Sequence, residues 1–285
     1  MNKYLACAKL NWQMFKNVIA ERWLNNSDFE NGYDSLAEHY DSNWLIHLKS
    51  VTSQLLDGLP LETQGSILDL GCGTGYTTQW LEQNFPDNEI AAVDISSGML
   101  DQAKKICQRS RFYHDDMLDF MQSQPSNSAG MIVSGWAVGY SNLPKLLNEC
   151  ARVLTPGGRF AFVVNYADTL EPVFYAYKHC MAQFPGKVKK ALNVHFPQNW
   201  QSLEKLLSLS CFTTEFKKEG CIAIAPPTGK SSTLNWLLKT GTIAGFDKVL
   251  PLAEDNEIAD FFEQKLRECP APLEHQYIIY SGVKN

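Results

Sequence analysis

The sequence predicts an α/β protein: a doubly wound, mostly parallel seven-stranded sheet with helical cap insertions. Three observations carry this. The apolar run Ile67-Leu68-Asp69-Leu70 enters a loop with glycines at 71, 73 and 75, and Tyr76-Thr77-Thr78-Gln79-Trp80-Leu81-Glu82 beyond it reads as a helix. From Ser66 to Asn165, short apolar runs alternate with helical stretches, the pattern of strands joined by crossovers and covered on both faces. After Tyr166 the alternation yields to two long, mainly helical insertions and two late strands.

The elements follow in order. Leu5, Leu10, Met14, Phe15, Val18, Ile19 and Trp23 recur at roughly helical spacing, with Lys16, Glu21 and Arg22 between them. Asn25-Asn26-Ser27-Asp28 predicts a break, and a second helical stretch runs from about Asp34 to Asp57. Strand one is 67–70, followed by a helix over 76–85 that stops before Pro86. Strand two is 89–94, and the helix over 98–110 carries Met99, Leu100, Ala103, Ile106 and Cys107 on one side. Strand three is 111–113, strand four 131–134 and strand five 159–165. A helix between the last two ends near Leu154, before the turn Thr155-Pro156-Gly157-Gly158. Residues 167–197 form an aromatic-rich, partly helical insertion, 199–209 a helix, and 212–225 and 274–283 the late strands around a second insertion, 226–267. The expected organisation is a helical cap over 1–60, a cofactor-binding core over 61–166, a first cap insertion over 167–198, core again over 199–225, a second cap insertion over 226–267 and a final core strand over 268–285.

Composition narrows the function. A net charge of −6 argues against a nucleic-acid partner, because phosphate binding favours a basic face. Eight scattered cysteines form no C-x-x-C pair and no His/Cys cluster at zinc-like spacing, so reduced thiols in a cytoplasmic protein and no metal site are expected. No apolar run is long enough to cross a membrane, and Lys9 and Asn11 interrupt the short apolar start, against a lipoprotein signal.

The glycine loop nominates a nucleotide-like cofactor. Glycine lets backbone approach a ligand closely, and the helix N-terminus beyond offers free N–H groups to an anionic group. A dinucleotide fingerprint would be G-x-G-x-x-G, whereas here the third glycine comes one residue early and Tyr76 takes its place. Asp94 ends strand two nineteen residues past Gly75, where an ionised carboxylate can accept from both ribose hydroxyls.

These residues resemble the class I S-adenosylmethionine-dependent methyltransferases: Asp69-x-Gly71-x-Gly73-x-Gly75, Asp94, Asp116-Met117 after strand three, and Arg152-Val153-Leu154-Thr155-Pro156-Gly157-Gly158 before strand five. The resemblance implies a Rossmann-like core and S-adenosyl-L-methionine as cofactor. It implies that Asp69, Gly71, Cys72 and Gly73 hold the methionine part and Asp94 the ribose. Met99, Asp116 and Met117 are then expected around the adenine, with Ser97 and Gly98 beside Met99 and Asp115 competing with Asp116, and Ile95 and Ser134 are expected at the cofactor from the ends of strands two and four. Tyr33-Asp34-Ser35-Leu36-Ala37-Glu38-His39-Tyr40-Asp41 is similar to the N-terminal element that small-molecule methyltransferases fold over the cofactor, placing Tyr33 and Tyr40 there. The order of strands and insertions, and Leu237-Leu238-Lys239-Thr240-Gly241-Thr242-Ile243-Ala244-Gly245, are similar to the malonyl-carrier-protein O-methyltransferases of biotin synthesis. A longer N-terminus and a Tyr/Phe-rich first insertion depart from them, leaving a tailoring enzyme equally open.

The expected function is methyl transfer to a small-molecule or carrier-tethered acceptor, by O- or N-methylation in a biosynthetic pathway. The rivals are a cofactor-binding protein without methyl transfer, such as a cyclase or ligand-binding module, and a nicotinamide-dependent oxidoreductase. Trp136, Tyr140, Tyr166 and Tyr175 are candidates for the acceptor pocket, with plain core packing as the other reading of Trp136 and Tyr140. His39, His179 and His195, with Tyr140, are candidates for a catalytic base, though a carboxylate acceptor would need none. Lys187, Lys189 and Lys190, with Lys178 nearby, form either a contact for an acyl carrier protein or substrate phosphate, or a solvated helix face.

Overall fold

The computed structural model describes residues 17, 20, 22–191, 194–225 and 232–285. The periodicity read over residues 5–19 therefore lies almost wholly outside the described residues, as does the start of the second insertion, 226–231. No helix among the described residues is long and apolar enough to cross a membrane.

Asn25 to Asp28, expected as a break, instead opens helix α1 (Asn26–Asp34). The Asn25 side chain accepts from the Asp28 N–H at 3.1 Å, and the Asp28 carboxylate accepts from the Asn25 N–H at 3.0 Å. Turn and cap use the same side-chain-to-backbone hydrogen bond, so the residue types alone do not separate them. The expected single helix over 34–57 is also corrected. It is a 3₁₀ turn at Ala37–His39, a π-helical turn at Asp41–Leu45 and then α2 (Ile46–Asp57).

The sheet contains β1 (Ser66–Leu70), β2 (Ile90–Asp94), β3 (Arg111–His114), β4 (Ala129–Gly135), β5 (Leu154–Asn165), β6 (Phe212–Ala223) and β7 (Glu274–Lys284), in the order β3-β2-β1-β4-β5-β7-β6. The first five are parallel, and β7 runs antiparallel to β5, with Asn165 opposite Tyr277. Crossovers run through α3 (Tyr76–Asn84), α4 (Ser97–Ile106), α5 (Met117–Ser123) and α6 (Leu143–Val153). The order reverses between β1 and β4, and a doubly wound sheet holds its ligand beyond the carboxyl ends of the strands at such a switch. Leu70, Val93, Phe120, Ile132, Leu147, Phe160, Phe162 and Tyr280 belong to one buried cluster of the core. Helix α4 stops at Ile106, earlier than expected, and β5 starts at Leu154, taking in the turn at 155–158. Helix α5 has no counterpart in the sequence reading. Its N-cap is Asp116, whose Oδ1 accepts from Leu118 N at 2.8 Å and Asp119 N at 3.2 Å.

The chain divides into two compact units. The sheet unit comprises Ala37–Thr169, Val194–Ile222 and Gln276–Asn285, and includes helix α8 (Trp200–Leu209). The second comprises residues up to Leu36, Leu170–Asn193 and Ala223–His275, and includes α7 (Glu171–Gln183), α9 (Thr233–Leu237) and α10 (Asn256–Glu268). Its interior centres on Phe246, with the rings of Phe29, Phe174 and Tyr177 at 6.5, 6.2 and 6.3 Å, and Tyr177 packs edge-on to Phe262 at 5.1 Å.

Candidate active site

The site grows from the carboxyl end of β1. Gly71, Gly73 and Gly75 have φ of 69°, 55° and 93°, a left-handed backbone that side chains disfavour. Their surroundings differ. A Cβ on Gly71 would lie 2.2 Å from the Ala137 Cβ, and one on Gly75 2.9 Å from the Ala103 Cβ, so both are needed for packing. A Cβ on Gly73 would meet nothing within 4 Å. Gly73 therefore leaves room where the fold does not need it. Beyond it, Gly75 caps α3 without a side-chain hydrogen bond, so the first turn offers its N–H groups to a ligand.

Carboxylates surround this opening. Asp94 accepts from Gly73 N at 2.8 Å and Ser96 N at 2.9 Å, tying the ends of β1 and β2 together. Asp69 is fully buried inside β1. Its Oδ2 accepts from the Thr78 hydroxyl at 2.6 Å, while Oδ1 has no partner among the described residues. Burial pushes its carboxyl up to about 7, the Thr78 hydrogen bond pulls it down and the Asp94 charge adds to the rise. Asp41, in the π-helical turn, accepts from the Thr74 hydroxyl at 2.5 Å. Tyr40 precedes it. Burial raises its phenol above the ordinary value, and Tyr140, Asp94 and Asp41 raise it further. Asp41 and Asp94 thus meet the glycine loop at Thr74 and Gly73, with Tyr40 next to Asp41 in the chain.

Except for Tyr33, the other expected cofactor residues belong to the sheet unit. The amides of Gly71 and Cys72 both donate to Val93 O, at 2.8 and 3.0 Å, and burial raises the Cys72 thiol. Ile95 receives His114 Nε2 on its carbonyl at 2.9 Å, and Met99 is buried in the first turn of α4. The Met117 Cε lies 3.6 Å from the place a Gly71 Cβ would take. Asp116 caps α5 through Oδ1. Asp115 is committed locally, its Oδ1 accepting from Asp116 N at 2.8 Å. Ser134 is buried and donates its hydroxyl to Leu70 O at 2.7 Å, a tie between β4 and β1. Tyr33 lies in the second unit.

Past β4, Trp136 has φ of 68°, an outlier for a bulky residue. Its indole N–H donates to Thr52 Oγ1 at 3.0 Å, and its ring meets Tyr277 edge-on at 5.6 Å. Beside Tyr277, Asn165 is buried, with its Oδ1 unpartnered among the described residues. Tyr140 stacks edge-on to Phe196 at 5.6 Å, and His195 N donates to Gly139 O at 2.9 Å, which brings His195 alongside. Tyr166 donates its phenol to Glu219 at 2.6 Å, and burial with that carboxylate raises it above the ordinary value. Tyr175 and His179 stack at 4.1 Å in the second unit. His39 is exposed.

Sequence reasoning missed Asp41, Thr52, Thr74, Asn165 and Tyr277. Thr74 lay inside the glycine motif and Asp41 inside the quoted N-terminal element, so both were within reach. Thr52, Asn165 and Tyr277 sit in ordinary helix and strand patterns and carried no signal.

This edge fits S-adenosylmethionine by its donor set: open backbone at Gly73, carboxylates at Asp94 and Asp69, and an uncapped helix N-terminus. Residues 67–158 match the methyltransferase domain family, and the chain belongs to the class I S-adenosylmethionine-dependent methyltransferases. A malonyl-[acyl-carrier protein] O-methyltransferase of Dechloromonas aromatica is 30% identical over 196 residues, 68% of this chain and 69% of that protein. One from Acetivibrio thermocellus is 28% identical over 188 residues, 63% of this chain and 62% of that protein. The chain thus spans less than two thirds of the latter relative's length. A chain in the complex between the Haloferax volcanii Trm112 methyltransferase activator and a methyltransferase shares the fold, with a TM-score of 0.55 at 17% identity over 90% of this chain and 96% of that one.

Proposed function

We propose that the chain transfers a methyl group from S-adenosylmethionine to an oxygen or nitrogen of a small or carrier-tethered acceptor, with a carboxylate as the leading case. The observation that carries this is the open face at Gly73, bordered by Asp94, Asp41 and Tyr40, which suits a cationic cofactor. The acid-methylating relatives support the choice of acceptor.

When bound, the cofactor supplies an activated methyl on a sulfonium, whose carbon–sulfur bonding pair stays on sulfur as the methyl leaves. The chain's own work is to bind, orient and exclude water. Asp94 accepts from the ribose hydroxyls while its backbone donors hold it in place. The first turn of α3 donates to the cofactor carboxylate. Asp116, the cap of α5, receives the adenine amino group beside Met117. Tyr40 stays protonated, so it donates its O–H rather than adding a charge. Trp136 and Tyr140 wall the acceptor side, and Trp136 is fixed there by Thr52. No base is required for a carboxylate, since it is ionised at neutral pH. For a protonated nucleophile, His195, whose backbone N–H donates to the Gly139 carbonyl, is the candidate base.

The test is incubation with methyl-labelled S-adenosylmethionine and a malonyl thioester on an acyl carrier. A labelled methyl ester, hydrolysed by mild base to labelled methanol, is expected. Tight cofactor binding with no label in any acceptor, in this assay and in extract, would overturn the proposal in favour of a non-methylating role.

A further inference from the structure

One buried polar atom beside Trp136 has no part in holding the fold. Asn165 ends β5, at the carboxyl edge of the sheet, and is 5% exposed. Its Oδ1 is sealed from solvent and has no partner among the described residues. A buried amide oxygen without a hydrogen bond destabilises a fold, and such atoms are rare enough that each calls for a cause. Packing does not supply one: the residues before it are Phe162, Val163 and Val164, and another apolar side chain would pack as well.

The sheet places Asn165 in one wall with Trp136. Along β5, Phe160, Phe162, Val164 and then Tyr166 belong to the buried cluster on one face, so Asn165 stands on the other. Tyr277 lies opposite Asn165 on β7, and residues paired across two strands share a face. The Tyr277 ring meets Trp136 at 5.6 Å, and the Trp136 N–H donates to Val163 O at 2.9 Å, two residues before Asn165. All of these residues lie in the sheet unit.

The neighbours are pinned. The Trp136 indole is committed to Thr52 at 3.0 Å, with the backbone at φ of 68°. Tyr277 is seated where β6 has no side chain, since a Cβ on Gly220 would lie 2.6 Å from its phenol oxygen. The Asn165 oxygen is held by nothing. The last torsion of an Asn side chain is broad, so turning this oxygen toward a ligand breaks no bond.

We infer that Asn165 selects the substrate, its Oδ1 receiving an N–H or O–H of the molecule to be methylated. An amide oxygen accepts without carrying charge, so it reads a neutral donor. The aromatic walls sense shape alone. A site built to hydrogen-bond a substrate donor also rejects an analogue of the same shape that lacks it, because the site's own group is then left unpaired. The inference rests on the methyl transfer proposed above. In its carrier-tethered form, the donor is the amide N–H beside the thioester.

Two synthetic substrates test it, the malonyl thioester of N-acetylcysteamine and its N-methyl analogue, which lacks that N–H. With methyl-labelled S-adenosylmethionine, kcat/KM is expected about tenfold higher for the first, the size of one neutral hydrogen bond. Asn165→Leu should erase this preference by losing activity on the N–H thioester alone. It should bind the cofactor as before and melt no lower, since it removes an unsatisfied amide from the interior. Equal kcat/KM for the two thioesters in the unaltered chain would overturn the assignment without any variant. So would a preference that survives in Asn165→Leu, which would trace it to crowding by the added methyl. A variant that melts lower yet turns over both thioesters like the parent would show a structural amide and overturn it too. If the unaltered chain methylates neither thioester, the proposed function fails for tethered acids. Calorimetry of the same pair against the chain loaded with S-adenosylhomocysteine then decides Asn165. A tenfold preference lost in the variant supports it, and equal binding or none overturns it.

Discussion

At the residue scale, Asp69 shows a fold accepting a cost at its site. It is buried, half-satisfied and raised from 3.8 to about 7. A carboxyl whose folded value is raised binds its proton more tightly when folded. Its contribution is fully present below the unfolded value near 4 and is lost as pH rises through about 7. The loss is about 3 pKa units, or about 4 kcal/mol at most. Asp69→Asn should therefore melt higher than the parent at pH 8 and equally near pH 4, while weakening S-adenosylmethionine binding about tenfold or more. A stability difference independent of pH would refute this account. Gly73 and Gly71 give a second contrast. Gly73→Ala costs only left-handed strain, about 1 kcal/mol, so it should fold yet bind cofactor poorly by calorimetry. Gly71→Ala drives a methyl against Ala137 and should lower the melting temperature as well.

At the element scale, the segment after α1 matters because it does not continue as one helix. The π-helical turn at Asp41–Leu45 aims Asp41 at Thr74, and such turns often mark functional sites. This one hydrogen bond joins the N-terminal element to the glycine loop. Asp41→Ala and Thr74→Val should each weaken cofactor binding about tenfold, within the range of a charge-assisted hydrogen bond. Because both remove the same bond, the double variant should lose little more than either single. Additive losses in a calorimetric cycle would show that the two act separately. The sequence made β1 to β4 legible because each is a short apolar run with helical crossovers around it. It hid what depends on side chains closing on backbone. Asn25 caps instead of breaking, Asp116 starts α5, and the strained turn at Trp136 follows from Thr52 and Tyr277, two positions that look like ordinary helix and strand. The cofactor edge was readable because backbone geometry dictates its glycines and acids. The acceptor side was not, because aromatic residues serve a core and a pocket equally well.

At the scale of the whole molecule, cofactor choice becomes a question of linkage. A ligand bound only by the folded chain at one hundred times its Kd adds about 2.7 kcal/mol to stability. Amides that open only after the ligand leaves should then exchange about a hundredfold more slowly. With S-adenosylmethionine, this slowing should concentrate in the sheet unit, at residues 40–41, 71–76, 94–99 and 115–118, where Tyr40, the glycine loop, Asp94 and the cap of α5 converge. NADH at equal concentration should protect none of them, because the loop lacks the third glycine of the dinucleotide spacing and Tyr76 stands in its place. The pattern is as informative as its size. Protection spread evenly over both units would mean general stabilisation with no local site, and protection by NADH at 71–76 would reverse the choice of cofactor. A map confined to those four segments would tie the cofactor to the stretch of sheet edge where Gly73 leaves the backbone open.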